Sequence, residues 1–231
     1  MRAVCFDLDD TLGRYASDFS AFLALVRNEL ALHQCDMNAF ARLVSEEMRR
    51  DGPLTFELVL RRVLERLQQR PPADLAALTR AALAMYAADY RPLPGAAELL
   101  DRLDAAGVKL ALLTNGPDDM QRAALAALGF EGHFRAVLVS GDRDVAARKP
   151  APRIFSLACT AREVTPEEAV MVGDDLDADV AGALDFGMGA VLVGPLAEAG
   201  GGAAPSAPAL WRARDLAEVS RLLAEPSRMA P

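Results

Sequence analysis

Short, nearly unbroken apolar runs recur along the chain at residues 3–8, 108–114, 135–140, 169–173 and 189–193. Such runs suit strands buried on both faces of a parallel sheet, because a strand with one wet face alternates apolar and polar positions. Between them the apolar positions return at helical spacing. Leu99, Leu100 and Leu103 share one face of 95–106, and Met120, Ala124, Leu125 and Leu128 share one face of 117–128. Thr165-Pro166-Glu167-Glu168 carries a helix-start signature: a threonine cap, proline at the first helical position and glutamate three residues after the cap. Residues 176–186 have helical spacing and end near Gly187. Alternating strand and helix predicts an α/β fold with a doubly wound parallel sheet.

One stretch breaks the alternation. From about residue 13 to 91 the pattern offers no convincing strand. Phe19, Phe22, Leu23, Val26 and Leu30 fall at helical spacing, as do Phe40, Leu43, Val44 and Met48, and 55–68 and 74–90 read as two more helices. Asp51-Gly52-Pro53 and Pro71-Pro72 mark turns between them, and Pro92, Pro94 and Gly95 mark the return. The expected organisation is an α/β core from 1–12 and 92–231, with a helical insertion at 13–91. The Gly-, Ala- and Pro-rich stretch 194–209 reads as a mobile surface loop, followed by a last helix at about 214–224.

Composition narrows the partners. Charged residues make up 25% of the 231, a globular balance, and the net charge is −8 with a pI near 4.9. An acidic chain of this kind argues against a nucleic-acid backbone as ligand. A small phosphorylated compound stays compatible, because a few fixed cations and a bound metal can hold a phosphate inside an acidic protein. Lysine occurs only at Lys109 and Lys149, so any lysine chemistry must come from those two. Cys5, Cys35 and Cys159 are widely spaced and form no ligand pattern, as expected of reduced thiols. The chain shows neither a signal-peptide apolar region nor a run of membrane-spanning length, so a cytoplasmic protein with no membrane partner is expected, as monomer or homodimer.

The candidate chemistry lies where predicted strands end, the place where open α/β sheets bind ligands. Asp7-Leu8-Asp9-Asp10-Thr11 follows the first strand. Two carboxylates spaced i and i+2 there can divide nucleophilic attack from proton transfer, although a solvated strand end offers the same letters. Thr114-Asn115-Gly116 ends the second core strand, where a hydroxyl and loop N–H groups can take phosphate oxygens, or simply form a turn. Lys149 precedes Pro150-Ala151-Pro152 at a helix entry and can add a point charge to a bound phosphate and to Asp7. Gly173-Asp174-Asp175-Leu176-Asp177-Ala178-Asp179 crowds four acids at another strand end. Like charges so close call for a cation, and carboxylate oxygens suit Mg²⁺. Preference for acids at a helix N-terminus accounts for Asp177, and for Asp175 as well, but leaves Asp174 unexplained.

Together these motifs resemble the haloacid dehalogenase superfamily: Asp-x-Asp-x-Thr on strand one, Thr or Ser on strand two, Lys before a Pro-x-Pro helix, then Gly-Asp with a further Asp. The resemblance spans the core and implies a Rossmann-like doubly wound parallel sheet with an inserted α-helical cap at 13–91, as in the phosphatase-like branch. It further implies that Asp7 becomes an aspartyl phosphate and that Asp9 protonates the leaving oxygen and then deprotonates water. Thr114, Asn115 and Lys149 would bind the substrate's phosphoryl group. Asp7, Asp174 and the Asp9 backbone carbonyl would bind Mg²⁺, with Asp179 acting behind them on Lys149 or a metal-bound water. Asp10 departs from the glycine common at its position, and Ala146 from another.

The expected function is hydrolysis of a small phosphorylated metabolite. Dehalogenase relatives lack the second aspartate that Asp9 supplies, and Schiff-base phosphonate cleavage would need a lysine that 13–91 does not contain. A phosphomutase shares these residues, while a non-catalytic phosphate-binding module would be expected to lose Asp7, Asp9 or Asp174. Arg14, Tyr15, Arg49 and Arg50 are candidates to meet a substrate, or to be solvated surface groups.

Overall fold

The computed structural model describes residues 1–195 and 210–224. The inner strand β1 (Ala3–Phe6) is wholly buried and pairs in parallel with β4 (Lys109–Thr114) on one side and β6 (Ala169–Gly173) on the other. With β5 (Val137–Val139), β7 (Gly189–Val193) and β8 (Leu210–Ala213), these strands form a parallel sheet in the order β5-β4-β1-β6-β7-β8.

Side chains alternate across each strand and divide the core in two. Val4, Phe6, Leu110, Leu112, Val170 and Val172 face one apolar layer, which also takes up α5 (Ala96–Ala105), α6 (Asp118–Leu128) and α9 (Leu216–Ala224). Ala3, Cys5, Ala111, Leu113 and Met171 face the other, under α7 (Pro152–Arg162) and α8 (Gly182–Phe186). Both faces are covered, which is why the strands read as continuous apolar runs. Burial of Cys5 pushes its thiol up to about 12, so it is an inert core group.

Between β1 and β4 the chain forms α1 (Phe19–Glu29), α2 (Met37–Met48), α3 (Phe56–Arg66) and α4 (Leu75–Ala88). Each opens on a side-chain cap: Asp18, Asp36, Thr55 and Asp74 accept from the N–H of Ser20, Ala39, Leu58 and Ala77. Such caps contribute about 1 kcal/mol apiece. Apolar faces then bury Phe22, Phe40, Phe56, Leu60 and Tyr86 in the layer shared with the sheet. The segment reaches over the carboxyl ends of the strands. The Leu54 N–H donates to Gly141 O, the Asp118 N–H to Leu54 O, and the Phe56 N–H to Asp119 Oδ1.

Several expectations need correction. The stretch read as strand-free begins with β2 (Gly13–Tyr15) and ends in β3 (Tyr90–Pro92), which pair antiparallel. Three residues are too few to show a period of two, so the pattern hides them. The edge strand β8 also escaped notice, because Leu210-Trp211-Arg212-Ala213 mixes polar and apolar positions. Thr165 does form the expected capping box, but over a single 3-10 turn (Pro166–Glu168) rather than a long helix. Residues 176–186 start as a wide π turn, Leu176–Ala181, before α8. Of the loop expected at 194–209, residues 196–209 lie outside the described residues. Among the described residues, no helix is long and apolar enough to cross a membrane.

Candidate active site

The structure gathers the sequence candidates at the carboxyl ends of β1, β4 and β6. Asp7 follows β1 directly and is 7% exposed. Its N–H donates to Val172 O, which extends the sheet pairing by one residue and fixes the direction of the side chain. Lys149 lies buried between two carboxylates, with Nζ 2.5 Å from Asp7 Oδ1 and 2.6 Å from Asp179 Oδ1. Burial disfavours the ammonium, but Asp179 and Asp7 outweigh it and hold Lys149 above its usual range, so it stays charged. Asp7 is raised well above the usual carboxylate range, first by burial, with Lys149 pulling against that.

The position of Asp179 depends on Gly173. A Cβ at 173 would lie 2.1 Å from Asp179 Oδ2, so only glycine lets that carboxylate rest against the strand end. Asp179 Oδ2 also accepts from the Asp175 N–H. Asp175 Oδ1 accepts from the N–H groups of Asp177 and Ala178, so this carboxylate caps the turn. Asp174 is half-buried, and its Oδ1 is 3.4 Å from the Thr11 hydroxyl. Burial, Asp179 and Asp10 push its carboxyl up to about 6.

Carboxylate oxygens of Asp7, Asp174 and Asp179 lie within 4.8 Å of one another. Lys149 pairs with two of them and leaves excess negative charge, most visibly at Asp174. A cluster of hard oxygen donors with unneutralised charge suits Mg²⁺. The Asp9 side chain stands apart from this cluster, so only its backbone carbonyl is left for the expected role in metal binding.

Both Asp9 carboxylate oxygens are engaged elsewhere. Tyr90 OH donates to Oδ1 at 2.7 Å and Gln121 Nε2 to Oδ2 at 3.0 Å. The Thr114 hydroxyl donates to Gln121 Oε1 at 2.8 Å. The amide orientation follows from chemistry: an ionised carboxylate only accepts, so the NH₂ end must face Asp9 and the oxygen is left for Thr114. Burial raises the Asp9 carboxyl, while Tyr90 and Gln121 oppose the rise by favouring the ionised form.

Two expected ligands therefore have other partners here. The Thr114 hydroxyl orients Gln121. Both ends of the Asn115 amide grip the Lys149 backbone: Oδ1 accepts from its N–H at 2.9 Å, and Nδ2 donates to its carbonyl at 3.0 Å. Asn115 thus holds the lysine's peptide in place. Tyr90 and Gln121 were missed, and Thr11, present in the first motif, proves to reach Asp174. Gln121 left a trace in the sequence, a polar residue three and four positions before Ala124 and Leu125 on the apolar face of α6. Tyr90 left none.

Two clefts meet at Asn115, just past β4. One, of about 320 Å³, is lined by Asp9, Asp10, Arg14, Tyr15, Tyr86 and Gln121 among others. Tyr15 and Tyr86 stack there with ring centroids 5.2 Å apart. The other, of about 420 Å³, runs from Asn115 and Gly116 toward Arg49 and Arg148.

Comparison with known proteins agrees with this geometry. A sequence model of the haloacid dehalogenase-like hydrolases matches residues 1–187. The chain is 35% identical over 207 residues to a ribulose-1,5-bisphosphate 5-phosphatase of Halopiger xanaduensis, covering 85% of this chain and 86% of that protein. It is 33% identical over 195 residues to a glyceraldehyde 3-phosphate phosphatase of Methanopyrus kandleri, covering 81% and 82%. Its structure superposes on a HAD phosphatase from Thermococcus onnurineus with a TM-score of 0.73 and 29% identity, over 96% of this chain and 98% of the other.

Proposed function

The chain belongs to the haloacid dehalogenase-like hydrolases and is a phosphoric monoester hydrolase, and from that premise we propose that it is a Mg²⁺-dependent phosphatase of small metabolites working through an aspartyl phosphate on Asp7. The observation that carries this reading is the buried Asp7–Lys149–Asp179 arrangement beside Asp174. A nucleophilic carboxylate lies 2.5 Å from a fixed cation that opposes the effect of its burial, at a strand end where a phosphoryl group can approach.

In this reading a carboxylate oxygen of Asp7 attacks phosphorus, and the bond from phosphorus to the ester oxygen breaks. The departing oxygen takes the proton of the Asp9 carboxyl. Water then attacks the phosphorus of the aspartyl phosphate, Asp9 accepts its proton, and inorganic phosphate leaves with Asp7 restored. Lys149 offsets charge on the phosphoryl oxygens, and Thr114 joins it when its hydroxyl turns from Gln121. Asp7, Asp174 and the Asp9 carbonyl would hold Mg²⁺, which would supply further positive charge to the site. The four-helix segment between β2 and β3 serves as the cap that selects the substrate.

Proton transfer by a positioned acid or base contributes about a hundred- to ten-thousand-fold in rate. The test is Asp9→Asn with nitrophenyl phosphate, whose leaving group needs little protonation. A burst of nitrophenol followed by slow turnover is expected, with a phosphoryl group trapped on the peptide that contains Asp7, while alkyl phosphates fail at the first step. Equal losses on both substrates with nothing trapped would refute the assignment, and Asp7→Asn serves as the inactive control.

A further inference from the structure

The larger cleft carries a feature that phosphoryl transfer at Asp7 does not use. Its wall holds Arg49 from the end of α2 and Arg148 from the core, with Ser20 and Ser45 nearby, and no carboxylate. In a chain of net charge −8 this is an electropositive recess. Among the described residues neither arginine has a carboxylate at ion-pair distance, whereas the next residue, Arg50, pairs with Glu47 at 2.6 Å. Exposed arginines without partners are ordinary. Here two line one recess, and the recess opens on Asn115, whose side chain clamps the Lys149 backbone.

Arg148 and Lys149 are neighbours in sequence whose side chains diverge. Lys149 reaches Asp7, while Arg148 reaches the helical segment, where Nη1 donates to Met48 O at 3.1 Å. That bond satisfies one α2 carbonyl and leaves the other guanidinium donors available. Arg148 is held below its ordinary range by burial, with Arg49 adding to this and Asp51 opposing it. Arg148 is half-buried and Arg49 exposed, and two cations brought together repel each other except as far as an anion offsets them, as Asp51 does in part. A lone structural contact to Met48 would not call for Arg49 beside it.

Resting on the phosphatase reading, we propose that this recess is a second anion subsite: Arg49 and Arg148 bind a second oxyanion of the substrate, a carboxylate or a phosphate, while the scissile phosphoryl group lies at Asp7. The substrate class is then a small organic phosphate carrying two anionic ends, bridged past Asn115. Guanidinium groups suit this task because their forked donors match planar or tetrahedral oxyanions.

The experiment compares matched pairs: phosphoglycerate against glycerol phosphate for a carboxylate, and butanediol bisphosphate against butyl phosphate for a second phosphate. In the presence of Mg²⁺, kcat/KM should favour the member with two anions by about tenfold or more in at least one pair, the pair identifying which oxyanion is preferred. Arg49→Gln and Arg148→Gln should each reduce that preference by about tenfold. The ratio is internal to each protein, so partial misfolding does not imitate the effect. A ratio near one in the wild type, or a ratio unchanged in both variants, overturns the proposal while leaving the phosphatase reading intact. If no phosphate ester is turned over, that reading fails, and calorimetry with the inert phosphonopropionate and propylphosphonate decides the subsite alone. Tighter binding of phosphonopropionate that is lost in Arg49→Gln upholds the subsite, and equal binding overturns it.

Discussion

Tyr90→Phe is the most informative single change at this site. Tyr90 is buried, and its hydroxyl donates to Asp9 Oδ1 at 2.7 Å. Burial and the neighbouring Asp9 charge hold its phenol far above the ordinary range, so it remains a donor at every assay pH. Phenylalanine fills the same space and removes only the hydroxyl, while Gln121 keeps its contact with Oδ2. A hydrogen bond to an ionised acceptor is worth about 1.5–3 kcal/mol, and each pH unit corresponds to about 1.4 kcal/mol. The bond favours the ionised form of Asp9, so its loss must make Asp9 harder to ionise. The half-reaction in which Asp9 acts as a base should then need a pH about one to two units higher.

The assay is the pH profile of kcat with nitrophenyl phosphate, where water activation is the step that depends on Asp9. The ascending limb should move to higher pH in the variant while the alkaline plateau survives. With an alkyl phosphate, which needs Asp9 protonated, the descending limb of kcat/KM should move in the same direction, so the variant keeps more of its activity at high pH. Superimposable limbs, or a uniform fall without displacement, would show that Tyr90 only packs against Asp9 and would refute the reasoning.

Two further outcomes follow from the acidic cluster. Gly173→Ala places a methyl where Asp179 Oδ2 now lies, 2.1 Å from the added carbon. It should displace Asp179 from Lys149, lower kcat at least tenfold and cost about 1–3 kcal/mol in denaturant titrations, and near-normal values for both would remove Asp179 from the machinery. Asp174 has its carboxyl raised to about 6 from an ordinary 3.8, so the folded chain binds its proton more tightly than the unfolded chain, and this contribution to stability is lost as pH rises through that interval. In chelator the melting temperature should therefore gain more from added Mg²⁺ at about pH 7.5 than at about pH 5, and an equal gain at both would refute the charge argument.

Much of this was legible in the sequence because buried parallel strands and strand-end acids leave strong local signals. β6 (Ala169–Gly173) and β7 (Gly189–Val193) coincide with their apolar runs, and Asp7, Lys149 and Asp174 stand at strand ends or a helix entry, where ligand chemistry is sought. What stayed hidden depends on partners far away in the chain. Tyr90 lies 81 residues from Asp9 and Gln121 lies 112, and neither residue type in isolation marks a partner of a catalytic acid. Asn115 was expected on the substrate because its loop is the right one. Its amide instead reaches Lys149, 34 residues on, a contact that sequence spacing cannot reveal. The short ribbon of Gly13–Tyr15 and Tyr90–Pro92 was lost for a different reason, since it is shorter than any period that could betray it.

That ribbon explains how the helical segment is fastened to the chemistry. The Asp10 N–H donates to Gly13 O and the Leu93 N–H to Leu12 O, so both ends of the segment are tied within a few residues of Asp7 and Asp9. Tyr90 adds a side-chain tie to Asp9 itself. In the proposed mechanism this end of the segment would serve proton transfer through Asp9, and its geometry is set by backbone pairing. The opposite edge meets the core through Arg148 on Met48 O, Leu54 on Gly141 O and Phe56 on Asp119. The first of these contacts joins two residues that line the recess, Met48 and Arg148. A change near the ribbon therefore alters the orientation of Asp9 and acts on kcat. A change at the far edge alters what fits between segment and core and acts on KM. The four helices can thus be remodelled for different substrates without disturbing the residues at the ends of β1, β4 and β6.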